Sequence, residues 1–476
     1  MCQRGTAVHE TQMVNGNQER NMEEQTVAVI GAGLAGSEAA WQLARRGHRV
    51  ALFEMRPVRQ TEAHQGGHCA ELVCSNSFKS TRHENAHGLL KAELAVQGSL
   101  ILACGESEAV PAGQALAVDR ERFAARVTAA LEAEPRITLH REEVADPLAL
   151  LGTHAAVVVA SGPLTSQTLA DALGRHTGQD HLYFHDAIAP VVVTESINRE
   201  VAFAASRHGK GGEDYLNCPL SEEEYYGLVR EIAAGEKIAF HEFEDLRPFE
   251  GCMPIEVMVE RGELTLAFGP LKPVGLEDPR TGRRPFAVVQ LRQENHEGTL
   301  HGMVGFQTKL TWPEQRRIFR MIPGLEQAEF ARLGSLHRNT FVNAPRLLTA
   351  DLELKPCPGV FLAGQITGVE GYMESTAMGM HVARRISARL RGRELPLPTN
   401  ATMTGALVAH LIGSPPERFQ PMNAAFGLLK GAPESVKKKE RKAFYAARAL
   451  EEMRALEAME NPPAVTLPTA RVGVPG

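Results

Sequence analysis

Two cysteines stand where a thiol could meet a ligand. Cys74 lies in the polar stretch Cys74-Ser75-Asn76-Ser77-Phe78-Lys79-Ser80, which reads as a loop. Cys252 lies in Phe249-Glu250-Gly251-Cys252-Met253-Pro254-Ile255-Glu256, where a glycine before it and a Met-Pro step after it predict a bend. Either thiol becomes a nucleophile once ionised. The alternative is a buried structural cysteine, the commoner fate of a free thiol. A rival chemistry surrounds Cys74, because His64, His68, Cys69, His83 and His87 are close to it in sequence. The pairs His64/His68 and His83/His87 have a spacing that would share a helix face. No Cys-x-x-Cys or His-Glu-x-x-His accompanies them, and Gly66-Gly67 opposes a helix at the first pair. No metal site is therefore expected.

The elements that could position such thiols begin at residue 26. Thr26-Val27-Ala28-Val29-Ile30 is a β-branched run suited to a buried parallel strand. Gly31-Ala32-Gly33-Leu34-Ala35-Gly36 follows directly, then a helical stretch over 37–46, then a second strand over 49–53 that ends at Glu54. This is the strand–turn–helix–strand setting that gives a Gly-x-Gly-x-x-Gly loop its meaning. Gly31 would permit the tight turn, Gly33 the close approach of a pyrophosphate, and Gly36 the packing of helix on strand. Glu54 is placed to accept hydrogen bonds from ribose hydroxyls. Ala32, Leu34 and Ala35 complete the expected phosphate-binding loop.

A second half-site selects FAD over other dinucleotides. A strand is predicted over 358–362, running into Ala363-Gly364-Gln365-Ile366-Thr367-Gly368, with a small-residue helix over 374–391. Gly364, Gln365 and Gly368 resemble the late loop of two-dinucleotide-fold flavoproteins, which build the FAD domain from two distant segments. The segment between them, with short strands expected at 189–195, 256–259, 264–268 and 286–291, reads as an inserted domain. The expected fold class is α/β: a Rossmann-like FAD-binding domain of the two-dinucleotide-fold flavoprotein type, with an inserted α+β domain containing an antiparallel sheet. The expected boundaries are a disordered extension over 1–25, the first FAD segment over 26–164 and the insertion over 165–346. The second FAD segment is expected over 347–430, with a charged helix and mobile tail over 431–476.

Composition narrows the function classes. The 476 residues carry a formal net charge of -6, which gives no overall reason to expect nucleic acid, although local basic runs exist. These are Arg280/Arg283/Arg284, the run from Arg384 to Arg393, and Lys437–Lys439 with Arg441 and Lys442. A solvated face explains each as readily as RNA does. No apolar run approaches the ~18 residues of a membrane span. Residues 1–25 lack the apolar core of a secretory signal and read as a floppy extension, with Met22 as an alternative start. Seven cysteines without dense spacing suggest reduced thiols and a cytoplasmic protein.

With these motifs in place, the sequence resembles the folate- and FAD-dependent tRNA (uracil-5-)-methyltransferase family. The resemblance rests on the 31–36 loop, Glu71-Leu72-Val73-Cys74-Ser75-Asn76-Ser77, and the 247–256 stretch around Cys252. It extends to the 363–372 loop, Phe419-Gln420-Pro421-Met422-Asn423 and Phe426-Gly427-Leu428. It implies transfer of the methylene of 5,10-methylenetetrahydrofolate to C5 of the T-loop uridine in tRNA, with NADPH or NADH replenishing reduced FAD. It also implies that Cys252 leads for attack on uracil C6 and that Cys74 is the partner near the flavin, although those roles could be reversed. Glu256, Glu370 or a water would take the C5 proton. No membrane association and no stable protein partner are expected. The sister family that modifies wobble uridines shares the nucleotide loops but carries a long helical C-terminal domain that is not seen here. Ribosomal RNA methylation and a non-methylating flavin redox or RNA-binding protein are the remaining alternatives.

Overall fold

The computed structural model describes residues 26–61, 63–179, 182–209, 212–238 and 253–460. The first strand, β1 (Thr26–Ile30), is central in a five-stranded parallel sheet, and Val27, Ala28 and Val29 have no exposed surface. On one side it pairs with β2 (Arg49–Phe53), which pairs in turn with Ile137–His140. On the other side lies Ala156–Val159, flanked by the late strand Val360–Leu362. Strands buried on both faces read as continuous apolar runs, which is how these segments appear in sequence.

Helix α1 (Leu34–Arg45) follows β1 through the glycine loop. A Cβ on Gly36 would lie 1.8 Å from the Gly31 carbonyl oxygen, so only glycine lets the helix begin this close to the strand. A long second helix, Tyr372–Leu390, packs along α1. Its Gly379 makes the contact close, since a Cβ there would lie 2.1 Å from the Ala35 carbonyl oxygen. The two distant halves of the chain are thus joined backbone to backbone beside the glycine loop.

The chain leaves this domain through Leu182–Ala187 and returns through Leu336–Phe341, which pair antiparallel as a two-stranded ribbon. Between them a six-stranded antiparallel sheet runs in the order Phe203–Ala204, Tyr215–Leu220, Ala287–Gln293, Leu300–Met303, Val191–Val193, Phe330–Arg332. It has its own apolar core, from Val192 to Ala328, separate from the core around the parallel sheet. The architecture is α/β, a five-stranded parallel sheet with an antiparallel insertion, as expected from the sequence.

Two of the strands expected inside the insertion are helices. Residues Ile255–Glu260 and Thr265–Phe268 are helical, although Val257-Met258-Val259 and Leu264-Thr265-Leu266 look like strand segments. Pro254 stands at the N-cap of the first helix, where a missing N–H costs nothing, and Gly269 ends the second. The expected strands at 189–195 and 286–291 do form, as Val191–Val193 and Ala287–Gln293.

Near the C-terminus, helix Arg441–Glu460 docks on helix Ala86–Val96 and buries Ala446, Ala449, Met453 and Leu456. Glu460 pairs with both Arg46 and Arg384, and Arg384 also donates to Gln97. The expected tail beyond it, and the expected extension over 1–25, lie outside the described residues. Among the described residues no single helix is long and apolar enough to cross a membrane.

Candidate active site

A cleft opens at the C-terminal ends of β1 and β2. Gly31, Gly33, Leu34, Ala35, Glu54, Gly364 and Gln365 line it, so both predicted half-sites meet there. Ala32, Gly36 and Gly368 stand behind it. Ala32 is fully buried, Gly36 supports the turn, and Gly368 is left-handed with φ +97° against the Phe419 ring.

The residues fit a dinucleotide. Helix α1 has no side-chain cap at Gly33, which leaves first-turn amides for an anion. Nothing lies within 4 Å of where a Gly33 Cβ would be, so the approach to those amides is open. Glu54 follows directly on β2 and is buried. Its Oε2 accepts from the Ala32 amide at 2.9 Å, and its Oε1 accepts from the Arg56 amide at 3.0 Å and guanidinium at 2.9 Å. A carboxylate has roughly four acceptor positions, so one remains for a ribose hydroxyl. Burial pushes the Glu54 carboxyl up, but the bonds and charge of Arg56 and the Ala32 amide outweigh it and hold it below the ordinary range. It is an anion at neutral pH. Arg56 also reaches Glu71 at 2.9 Å, tying the segment before Cys74 to the cofactor cleft.

Cys74 is a half-buried free thiol beside this cleft. Its amide donates to the Tyr372 hydroxyl at 3.0 Å, and Tyr372 lines the cleft as the first residue of the long helix. Its Sγ lies 3.9 Å from the Ala187 carbonyl oxygen on the connecting ribbon. Asn76 fixes the rest of the loop: its amide donates to the carbonyls of Val118 and Gln293, and its oxygen accepts from Arg292 at 2.7 Å. By contrast burial pushes the Cys69 thiol up to about 11 and those of Cys104 and Cys218 to about 12, which makes them inert.

Cys252 lies outside the described residues. Just after it, Glu256 has no exposed surface and its carboxylate accepts from the Thr308 hydroxyl and, at 3.2 Å, from the Lys309 amide. Burial raises its pKa. Glu370, the other acidic candidate, accepts from the cleft-lining Gln365 at 2.6 Å. The histidines near Cys74 turn to other partners: His64 to Thr61 at 2.6 Å, and His87 to Glu374 at 3.1 Å. No group of three or more His, Cys, Asp or Glu among the described residues could hold a metal.

The basic runs differ sharply. In the late helix Arg384, Arg385 and Arg389 are paired with Glu460, Asp351 and Glu353, so they form no free basic face. Arg280 pairs with Asp278 at 2.8 Å, while Arg283 and Arg284 are exposed beside it. Lys437–Lys439 are exposed.

Tyr372, Arg120 and Arg332, all in contact with Cys74, were not identified from sequence as site residues. Tyr372 had a local signal, an aromatic at the mouth of a glycine-rich turn. The two arginines contact Cys74 across 46 and 258 residues of chain, and no motif marks them.

The Glucose inhibited division protein A family matches residues 26–394. A methylenetetrahydrofolate–tRNA-(uracil-5-)-methyltransferase of Geobacter sulfurreducens is 57% identical over 428 residues, covering 90% of this chain and 98% of the relative. One from Heliobacterium modesticaldum, with the same name, is 54% identical over 430 residues, covering 90% and 97%. The structure of Aquifex aeolicus GidA superposes with a TM-score of 0.65 at 17% identity, covering 91% of this chain and 74% of that one, which shows the shared fold. With identity at this level over 90% of its length, the chain belongs to the methylenetetrahydrofolate–tRNA-(uracil-5-)-methyltransferase family.

Proposed function

We propose that this protein is an FAD-dependent methyltransferase that moves the one-carbon unit of 5,10-methylenetetrahydrofolate to C5 of uridine in the tRNA T-loop, giving 5-methyluridine. NADPH or NADH is the electron source, and the cytoplasm is its location. The observation that carries the reading is the Cys74 loop, held against a dinucleotide cleft by Tyr372.

FAD, when bound, supplies the electrons that turn a methylene into a methyl. The first-turn amides of α1 would hold its pyrophosphate, the fourth acceptor position of Glu54 would take a ribose hydroxyl, and Gly364 and Gln365 line the cleft from the second half-site. The inserted domain, entered through Leu182–Ala187 and left through Leu336–Phe341 and so narrower than the expected 165–346, forms the other wall for folate and RNA.

Uracil C5 is a poor nucleophile until a thiolate adds at C6, which makes C5 enolate-like. C5 then forms its bond to the one-carbon unit, a base removes the C5 proton as that carbon's bond to its carrier nitrogen breaks, a hydride equivalent from the reduced flavin would turn the resulting methylene into methyl, and the thiolate leaves from C6. Cys252 and Cys74 are the two thiols for this work, with Cys252 leading for C6 and Cys74 beside the flavin cleft. Glu370, which accepts from the cleft-lining Gln365, Glu256, engaged by Thr308 and Lys309, and a water are the candidates for the base. The uridine must leave its stack to reach the cleft.

The test is purified protein with FAD, unmodified tRNA, methylenetetrahydrofolate and NADPH, with a ribosomal RNA fragment in parallel. Nucleoside analysis is expected to show 5-methyluridine in the tRNA T-loop. The nucleoside in the ribosomal RNA alone would redirect the substrate assignment.

A further inference from the structure

One short stretch concentrates positive charge in a chain whose formal net charge is -6. Between residues 430 and 442 stand Lys430, Lys437, Lys438, Lys439, Arg441 and Lys442, against Glu434 and Glu440. All of these cations are exposed, and none forms an ion pair among the described residues. Helix stability does not account for them. Lys437–Lys439 precede helix Arg441–Glu460, Arg441 and Lys442 are its first residues, and its first turn holds no acid. Cations at this end oppose the helix macrodipole. The late helix is the contrast: Arg389 stands in its last turn, where a cation is favoured, and Arg384, Arg385 and Arg389 each meet a carboxylate.

A continuous piece of chain joins this stretch to the cleft. The Met422 amide donates to the Gly368 carbonyl at 3.0 Å, and the Met422 carbonyl accepts from the Glu370 amide at 2.9 Å. The Ala424 amide donates to Glu374 Oε1 at 2.9 Å, in the helix that begins at the cleft-lining Tyr372. From there the chain runs to Lys430, whose carbonyl accepts from Arg448 Nη2 at 2.7 Å. The Phe426 and Tyr445 rings lie 5.8 Å apart. The start of the last helix is thus fixed to the segment that borders the late loop. Unpaired cations in such a row fit a polyanion, and phosphate contacts of this kind fix position without reading sequence.

We propose that Lys430, Lys437–Lys439, Arg441 and Lys442 form a phosphate-binding band that anchors the RNA backbone on the cofactor domain. The proposal rests on the reading above that tRNA is the substrate. It adds a contact on the cofactor domain to whatever Arg283 and Arg284 contribute from the inserted domain.

The test reads binding without turnover. Full-length protein with FAD bound is titrated with unmodified tRNA, in the absence of folate and NADPH, between about 50 and 300 mM salt. The triple variant Lys437→Gln, Lys438→Gln, Lys439→Gln is expected to bind about tenfold or more weakly at the low-salt end. Its slope of log K against log salt should be shallower by about two. Arginine at the same three positions keeps the charge and is expected to keep the slope. Arg49→Gln with Arg136→Gln removes exposed cations at the end of β2 opposite the cleft and is expected to leave the slope unchanged. An unchanged slope in the glutamine triple, while the unaltered protein binds tRNA, overturns the band and leaves the proposed function standing. An equal fall in the Arg49 and Arg136 control also overturns it, because overall charge then explains the loss. So does a denaturation midpoint that falls together with tRNA affinity, which would make these lysines part of the fold. Vesicles containing phosphatidylglycerol test the other polyanion: lost vesicle binding with tRNA binding intact gives the band to a membrane surface and overturns the proposal. An unaltered protein that binds no tRNA and forms no 5-methyluridine overturns the proposed function, and the band with it.

Discussion

At the scale of single residues, the molecule separates working groups from structural ones by what surrounds them. Cys74 lies half-buried beside the cleft, its carbonyl held by Arg120 and Arg332, while Cys69, Cys104 and Cys218 are buried. Cys74→Ala and Cys252→Ala are each expected to abolish methyl transfer while the absorbance of bound FAD is retained, and full activity in either variant would remove that thiol from the reaction. Glu54 gives a second prediction. Glu54→Ala removes the acceptor for the Ala32 amide and strands the Arg56 charge, so FAD occupancy of the purified protein should fall at least about tenfold on dilution. The placement of Gly31, Gly33 and Gly364 on one cleft could be read from sequence because each acts through local spacing. Arg120 and Arg332 could not, because their role exists only once two distant segments meet.

At the scale of elements, α1 and the helix Tyr372–Leu390 hold the two halves of the cofactor site together. Their contact depends on Gly379, where an added methyl would meet the Ala35 carbonyl oxygen at 2.1 Å. Gly379→Ala should therefore cost about 1–3 kcal/mol in chemical denaturation and loosen FAD, because neither backbone can give way. Unchanged stability would show that the helices slide apart without cost. The glycine loop, both flanking strands and the late helix were legible because propensity, periodicity and turn chemistry agree there. The helices at Ile255–Glu260 and Thr265–Phe268 were not. Their β-branched and apolar residues favour strand locally, and the helical state is set by Pro254, Gly269 and burial of Ile255, Glu256, Val259 and Leu266 against the inserted core. Helix Arg441–Glu460 was legible as a charged helix, but its docking was not: Glu460 at its end meets Arg46, just past α1, and Arg384 on the helix Tyr372–Leu390.

At the scale of the whole molecule, two cores are linked by one ribbon, and the Cys74 loop lies where they meet. Acid should loosen this assembly. His48, His301 and His381 are buried, and burial, helped by nearby arginines, brings each down to about 4. A depressed pKa means that the unfolded chain takes up the proton first. The stability is therefore fully present above about pH 6.5 and is lost as pH falls towards 4. By pH 5 each would contribute up to ~2 kcal/mol of destabilisation, visible as a falling denaturation midpoint. A flat midpoint between pH 7 and pH 5 would show that these histidines gain water or a partner on protonation. RNA binding belongs to this scale too. Arg283→Glu with Arg284→Glu should weaken tRNA binding and flatten its salt dependence, because the exposed pair would no longer release counterions. An unchanged slope would move the interface elsewhere, with the exposed Lys437–Lys439 the next place to look. The most direct measurement follows the carbon itself. Methylenetetrahydrofolate labelled with carbon-13 at its methylene is incubated with the FAD-bound protein, NADPH and unmodified tRNA. The label is expected in the methyl group of 5-methyluridine at the T-loop. An unlabelled or absent 5-methyluridine, with FAD bound and the tRNA intact, would contradict folate-dependent methyl transfer by this protein.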